Sequence, residues 1–178
     1  MLVDFFLLGL LLGIFSGGKL SHLSRVPLTF FWIVVAGFGL RFVAFGMGSS
    51  FVPPLQTLGM ALVWVGTLWG LRLFGMPLVS LGAFLNFLVV LLNGGRMPAS
   101  VSVAERLGLF TIAEHLKAGF YPEYVPIGPA TRLFFLGDIL PYFSFLFRRA
   151  FVVSVGDYLL GTGIFLVLFH YLRKEEGN

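Results

Sequence analysis

Between Leu2 and Leu92 the chain passes through long stretches almost free of charged side chains, and this constrains the fold more than any other feature. A run of about 20 apolar residues is what one α-helix needs to cross the hydrocarbon core of a bilayer. Only 11% of the 178 residues are charged, against 58% hydrophobic, and 22 are phenylalanine. A water-soluble domain carries about 25% charged residues, so the composition speaks against a soluble globular enzyme. The expectation is an all-α integral membrane protein forming a single unit over residues 1–178.

Five spans are predicted, at about 2–16, 28–47, 55–74, 77–92 and 154–171, with a long, partly helical interfacial connection over 93–153. The first run is followed by Ser16-Gly17-Gly18-Lys19 and resembles a signal peptide, but it lacks a basic leader and carries Asp4, so it is read as a retained helix. Pro27 opens the second run, a favourable first-turn position. The connection is rich in aromatic and aliphatic residues and is broken by Pro122, Pro126, Pro129 and Pro141. It is expected to lie against the membrane as one or two short helices starting at the capping-box patterns Ser102–Glu105 and Thr111–Glu114. Phe134-Phe135-Leu136 and the run Tyr142 to Phe147 are apolar patches suited to re-entering the outer leaflet. No internal repeat is visible.

The formal net charge is +4, but the basic residues are scattered between apolar runs, so they point to topology and anionic lipid rather than to a nucleic acid. Lys19 and Arg25 lie between the first two helices, Arg72 ends the third, and Arg173-Lys174 follow the last. By the positive-inside rule these are cytoplasmic, which puts the N-terminus outside and the C-terminus inside. Arg96, Arg106, Lys117, Arg132, Arg148 and Arg149 in the connection argue for the reverse, although long translocated segments are less bound by the rule. Cysteine is absent, so no disulfide, thiolate metal site or thiol nucleophile exists. The three histidines are far apart, and neither a metal site nor a cofactor is expected.

Polar groups inside apolar helices are expensive and therefore informative. Asp4, Arg41, Gln56, Asn86 and Asp157 fall one to a span and within a turn or two of the same leaflet. Arg41 reads as a cation for an anionic ligand or headgroup, or as an ion-pair partner of Asp157 or Asp4, or as a guanidinium snorkelling to the interface. Ser154 and Asp157 read as a helix cap. Asn86, Asn93 and Gln56 read as hydrogen-bond partners between helices. Gly9, Gly13 and Gly17, with Gly156, Gly161 and Gly163, form small faces for close helix packing within the monomer, or for a dimer. They are not phosphate loops, since no Walker lysine accompanies them.

Several of these pieces carry a resemblance. Gly17-Gly18-Lys19-Leu20, Asn93-Gly94-Gly95-Arg96-Met97-Pro98, Leu136-Gly137-Asp138-Ile139 and Ser154-Val155-Gly156-Asp157 resemble a bacterial membrane family, domain of unknown function 5317, across nearly the whole chain. The resemblance implies a location in the bacterial cytoplasmic membrane and a set of positions that includes Asn93, Asp138 and Asp157, but no activity. A fainter similarity links Asp138 and Asp157 to the paired aspartates of the lipoprotein signal peptidase family. There, two carboxylates sharing a proton activate water. Phe135, Ile139 and Val155 depart from that family's pattern.

Three functions follow from these readings. The first is a binding or accessory protein with an outer-leaflet pocket built from Asp4, Arg41, Asn86, Asn93, Asp138 and Asp157, holding a lipid, an amphiphile or a partner subunit. The second is a membrane aspartyl hydrolase using Asp138 and Asp157. The third is a small transporter, against which the lack of an inverted repeat counts.

Overall fold

The structure, a computed structural model, describes residues 1–25 and 31–173. Pro27, the expected start of the second helix at residues 28–30 and the charge run from Lys174 to Glu176 lie outside the described residues. The fold is mostly helical: α1 (Leu2–Phe15), α2 (Phe31–Met47), α3 (Val52–Leu68), α4 (Met76–Leu92), α5 (Val101–Arg106), α6 (Phe110–Lys117) and α7 (Val155–Arg173). Two helices are long and apolar enough to cross a membrane, Ser49–Leu68, which includes a 3₁₀ turn before α3, and Val155–Arg173; α1, α2 and α4 are apolar but shorter.

α7 packs between α1 and α4, α4 packs on α3, and α3 on α2, so the last helix in the chain is inserted between the first and the fourth. Glycines permit these approaches. Gly9 and Gly13 of α1 face Phe165, Leu168 and Leu172 of α7, and Gly82 of α4 meets Gly156 of α7 backbone to backbone. The small faces expected from the sequence therefore serve contacts within the monomer, while Gly17 meets nothing. These pairings also set direction: α1 and α7 run parallel, and the starts of α1, α3 and α7 share one end with the finishes of α2 and α4.

Helix limits shift where prolines and glycines were misjudged. α3 begins at Val52 rather than 55 because Pro53 and Pro54 occupy its first turn. It ends at Leu68 rather than 74, since residues 69–74 form turns that lead to Gly75, left-handed at φ 88°.

The connection contains both short helices and, beyond expectation, strands. β1 (Met97–Ala99) pairs in parallel with β2 (Tyr124–Pro126), and β3 (Leu140–Ser144) pairs with β4 (Arg149–Val153) as an antiparallel hairpin. Neither capping-box pattern starts a helix. Ser100 caps α5 by accepting from the Val103 amide, and α6 follows Leu109 with no side-chain cap. Phe134–Leu136 is a 3₁₀ turn, and the apolar run from Tyr142 lies mostly on the hairpin, with Phe143, Phe145 and Phe147 exposed.

Candidate functional site

The Asn-Gly-Gly-Arg-Met-Pro segment builds one side of the site. Asn93 ends α4, and Gly94 and Gly95 turn the chain with φ of 65° and 82°, a region that favours glycine. The Gly95 amide donates to the Val90 carbonyl, and the chain then enters β1. β1 is flanked on both sides: by β2 in one direction, and in the other by Asp138, whose amide donates to the Pro98 carbonyl at 2.8 Å and whose carbonyl accepts from the Ser100 amide at 2.9 Å. Gly137 is required beside it because a Cβ there would collide with the Pro98 carbonyl. On the other flank, the Glu123 carbonyl accepts from the Met97 amide at 2.8 Å and from Gln56 Nε2 at 3.0 Å, tying the connection to the start of α3.

This arrangement forms a partly open cavity of about 300 Å3 between α5, α6, β2, Asp138 and β4. Leu109, Ile112 and Leu116 form an apolar wall, with Phe151 and Val152 of β4 contributing to the lining. Tyr121 joins the lining and is steadied by a 3.3 Å hydrogen bond between its hydroxyl and His115 Nδ1. Asp138 and Glu123 bring carboxylates to the lining. Asp138 is only 7% exposed. Its Oδ1 and Glu123 Oε2 are buried and have no hydrogen-bond partner, as does Gln56 Oε1. Burial, then the nearby charge of Asp157, pushes the Asp138 carboxyl above the ordinary carboxylate range, and Arg41 opposes the shift. The Tyr124 hydroxyl is likewise pushed up by burial and by the Asp138 and Glu123 charges. Arg149, also in the lining, is exposed and lies over the Phe151 ring at 4.6 Å.

The other residues singled out from the sequence lie elsewhere. Asn86, Ser154 and Asp157 form a closed knot between α4 and α7. Asn86 Nδ2 donates to Asp157 Oδ1 at 2.9 Å, Ser154 Oγ donates to Asn86 Oδ1 at 2.8 Å, and the Ser154 amide donates to Asp157 Oδ2 at 3.2 Å. The Asp157 amide donates back to Ser154 Oγ at 2.9 Å, the reciprocal cap read from the sequence. Asp4 is fully buried and holds the hairpin, accepting from the Tyr142 hydroxyl at 2.8 Å and the Leu146 amide at 3.2 Å. Asn93 clamps the connection by exchanging hydrogen bonds with the Arg132 backbone. Arg41 lies against Gly59 of α3 and, among the described residues, forms neither the expected ion pair with Asp157 or Asp4 nor any other. Of the six residues assigned to one pocket, only Asp138 lines the cavity.

No hydrogen bond joins the carboxylates of Asp138 and Asp157. Tyr121, Glu123, Tyr124 and Arg149 were not singled out as site residues. A signal was present for the wall, because Leu109, Ile112 and Leu116 repeat at helical spacing. Among the described residues, no group of three or more His, Cys, Asp or Glu gathers as a metal site.

A model of a family of unknown function, DUF5317, matches residues 22–169. A relative from Thermotoga maritima, described as an uncharacterized protein, is 26% identical over 176 residues, covering 93% of this chain and 89% of its own length. No solved structure matches.

Proposed function

Because the chain belongs to the family of unknown function DUF5317, which brings no activity to transfer, we infer its role from the cavity and propose a binding or accessory protein of the bacterial cytoplasmic membrane that holds an amphiphile within its long connection. In this reading α1, α2, α3, α4 and α7 all span the bilayer, the N-terminus is outside and the C-terminus inside. Large apolar side chains exposed around these helices, such as Phe6, Phe38, Phe42, Leu58, Leu81 and Leu91, support it, since water would not tolerate such a belt. The three shorter helices cross by local thinning of the bilayer.

The observation that carries the binding role is a cavity with apolar walls and a buried carboxylate oxygen left without a partner. Native proteins rarely leave such an atom bare, and an exception calls for a partner that comes from outside the chain. An aspartyl hydrolase fits less well, because both Asp157 oxygens are engaged by Asn86 and the Ser154 amide. The test is extraction of the full chain with its surrounding lipid, followed by native mass spectrometry. A bound amphiphile is expected with the natural protein and should be lost from Ile112→Trp, which fills the cavity. Bare protein in both cases would count against the proposal.

A further inference from the structure

The cavity's uncommitted polar atoms are of one chemical kind. Asp138 Oδ1 and Glu123 Oε2 are both acceptors when ionised. The charges near them do not balance. Two carboxylates lie in the lining, and the cation whose field reaches Asp138 is Arg41 on α2, which makes no ion pair among the described residues. Arg149, also in the lining, is exposed and laid over the Phe151 ring, and Asp157, whose charge also reaches Asp138, offsets it. Once Asp138 is ionised, Asp138, Glu123 and Asp157 outnumber Arg41 and Arg149 by one charge, which leaves room for one further cation. Around these oxygens the walls are aliphatic and aromatic, suited to an alkyl chain.

Resting on the binding role above, we propose that the ligand is an amine-bearing amphiphile, its ammonium paired with the Asp138 and Glu123 carboxylates and its alkyl part lying against Leu109, Ile112, Leu116 and Phe151. An ammonium offers three donors and one charge, which matches the bare acceptors and completes the balance. A carboxylate or phosphate would instead face two like charges. An alcohol supplies one donor and leaves the charge uncompensated.

The test is calorimetric titration of the full chain, reconstituted in phosphatidylcholine nanodiscs, with octylamine, octanol and octanoate, subtracting empty nanodiscs. Octylamine is expected to bind about tenfold more tightly than either of the others, the worth of one hydrogen bond to a charged group. Asp138→Asn combined with Glu123→Gln should reduce that preference to about twofold while leaving octanol binding in place, which shows that the cavity is still formed. Octanol or octanoate binding as tightly as octylamine would overturn the proposal, as would a preference that survives the double substitution. If none of the three binds to the natural protein, the amphiphile-binding role itself falls, and the amine assignment falls with it.

Discussion

Two acidic sites lie near the junction between the connection and the helices, and they differ in how their oxygens are used. In the knot of Asn86, Ser154 and Asp157 both carboxylate oxygens have a donor, and every donor belongs to the chain. In the cavity, Asp138 has its backbone amide and carbonyl paired, yet Oδ1 of its side chain is bare. The same residue type thus serves two ends. A carboxylate whose partners are all internal holds two helices together, whereas Asp138 is held by its backbone and keeps a side-chain oxygen that no group of the chain engages.

The contrast can be broken most directly at the knot. Asn86→Leu removes a donor from Asp157 and an acceptor from Ser154, and is expected to lower stability by about 2–3 kcal/mol. Asp138→Asn should cost under about 1 kcal/mol, because it strands no internal partner. Thermal unfolding in mild detergent measures both, and equal losses would abolish the distinction. Asp4 belongs with the internally satisfied class: Asp4→Ala should cost about 1–2 kcal/mol and speed hydrogen exchange at the Leu146 amide, with unchanged exchange as the contrary result.

A smaller effect is expected from pH. The Asp138 carboxyl titrates above its ordinary value in the folded protein, so the folded state keeps a proton that the unfolded chain releases near about pH 3.9. That contribution is full below this value and is lost as pH rises towards the raised value of Asp138. The unfolding midpoint of the natural protein should therefore fall with rising pH relative to Asp138→Asn, and parallel curves would show that Asp138 gains nothing from its proton. Lys117→Met should do least. The Lys117–Glu105 pair is short at 2.6 Å, but its side chains are 56% and 41% exposed. Its loss should change stability by under about 0.5 kcal/mol.

Much of the helical framework could be read from the sequence because apolar runs ended by proline, glycine or serine leave few alternatives in α1, α4 and α7. The end of α3 could not, because Leu71, Leu73 and Phe74 are as apolar in a turn as in a helix. The strands escaped for a different reason. They are three to five residues long, and the hairpin turns through Arg148 at φ 50° rather than through a glycine that would have announced it. The cap of α7 was legible because its partners are three residues apart. The cavity was not, since Asp138, Glu123 and Leu109 come together only through the parallel pairing of β1 with β2 and the bridge to Asp138, contacts that leave no mark in local spacing.

The insertion of α7 between α1 and α4 has a consequence for how such a molecule is made. α1 has its main helical neighbour in a segment that begins only at Val155. In the five-span reading, the first helix enters the bilayer and waits there while almost all the rest of the chain is synthesised, on the order of ten seconds at bacterial elongation rates. Until then its glycine face meets lipid. Completion of the carboxyl-terminal segment is thus the event that closes the assembly, and a chain released before it would leave α1 an orphan for quality-control proteases to find.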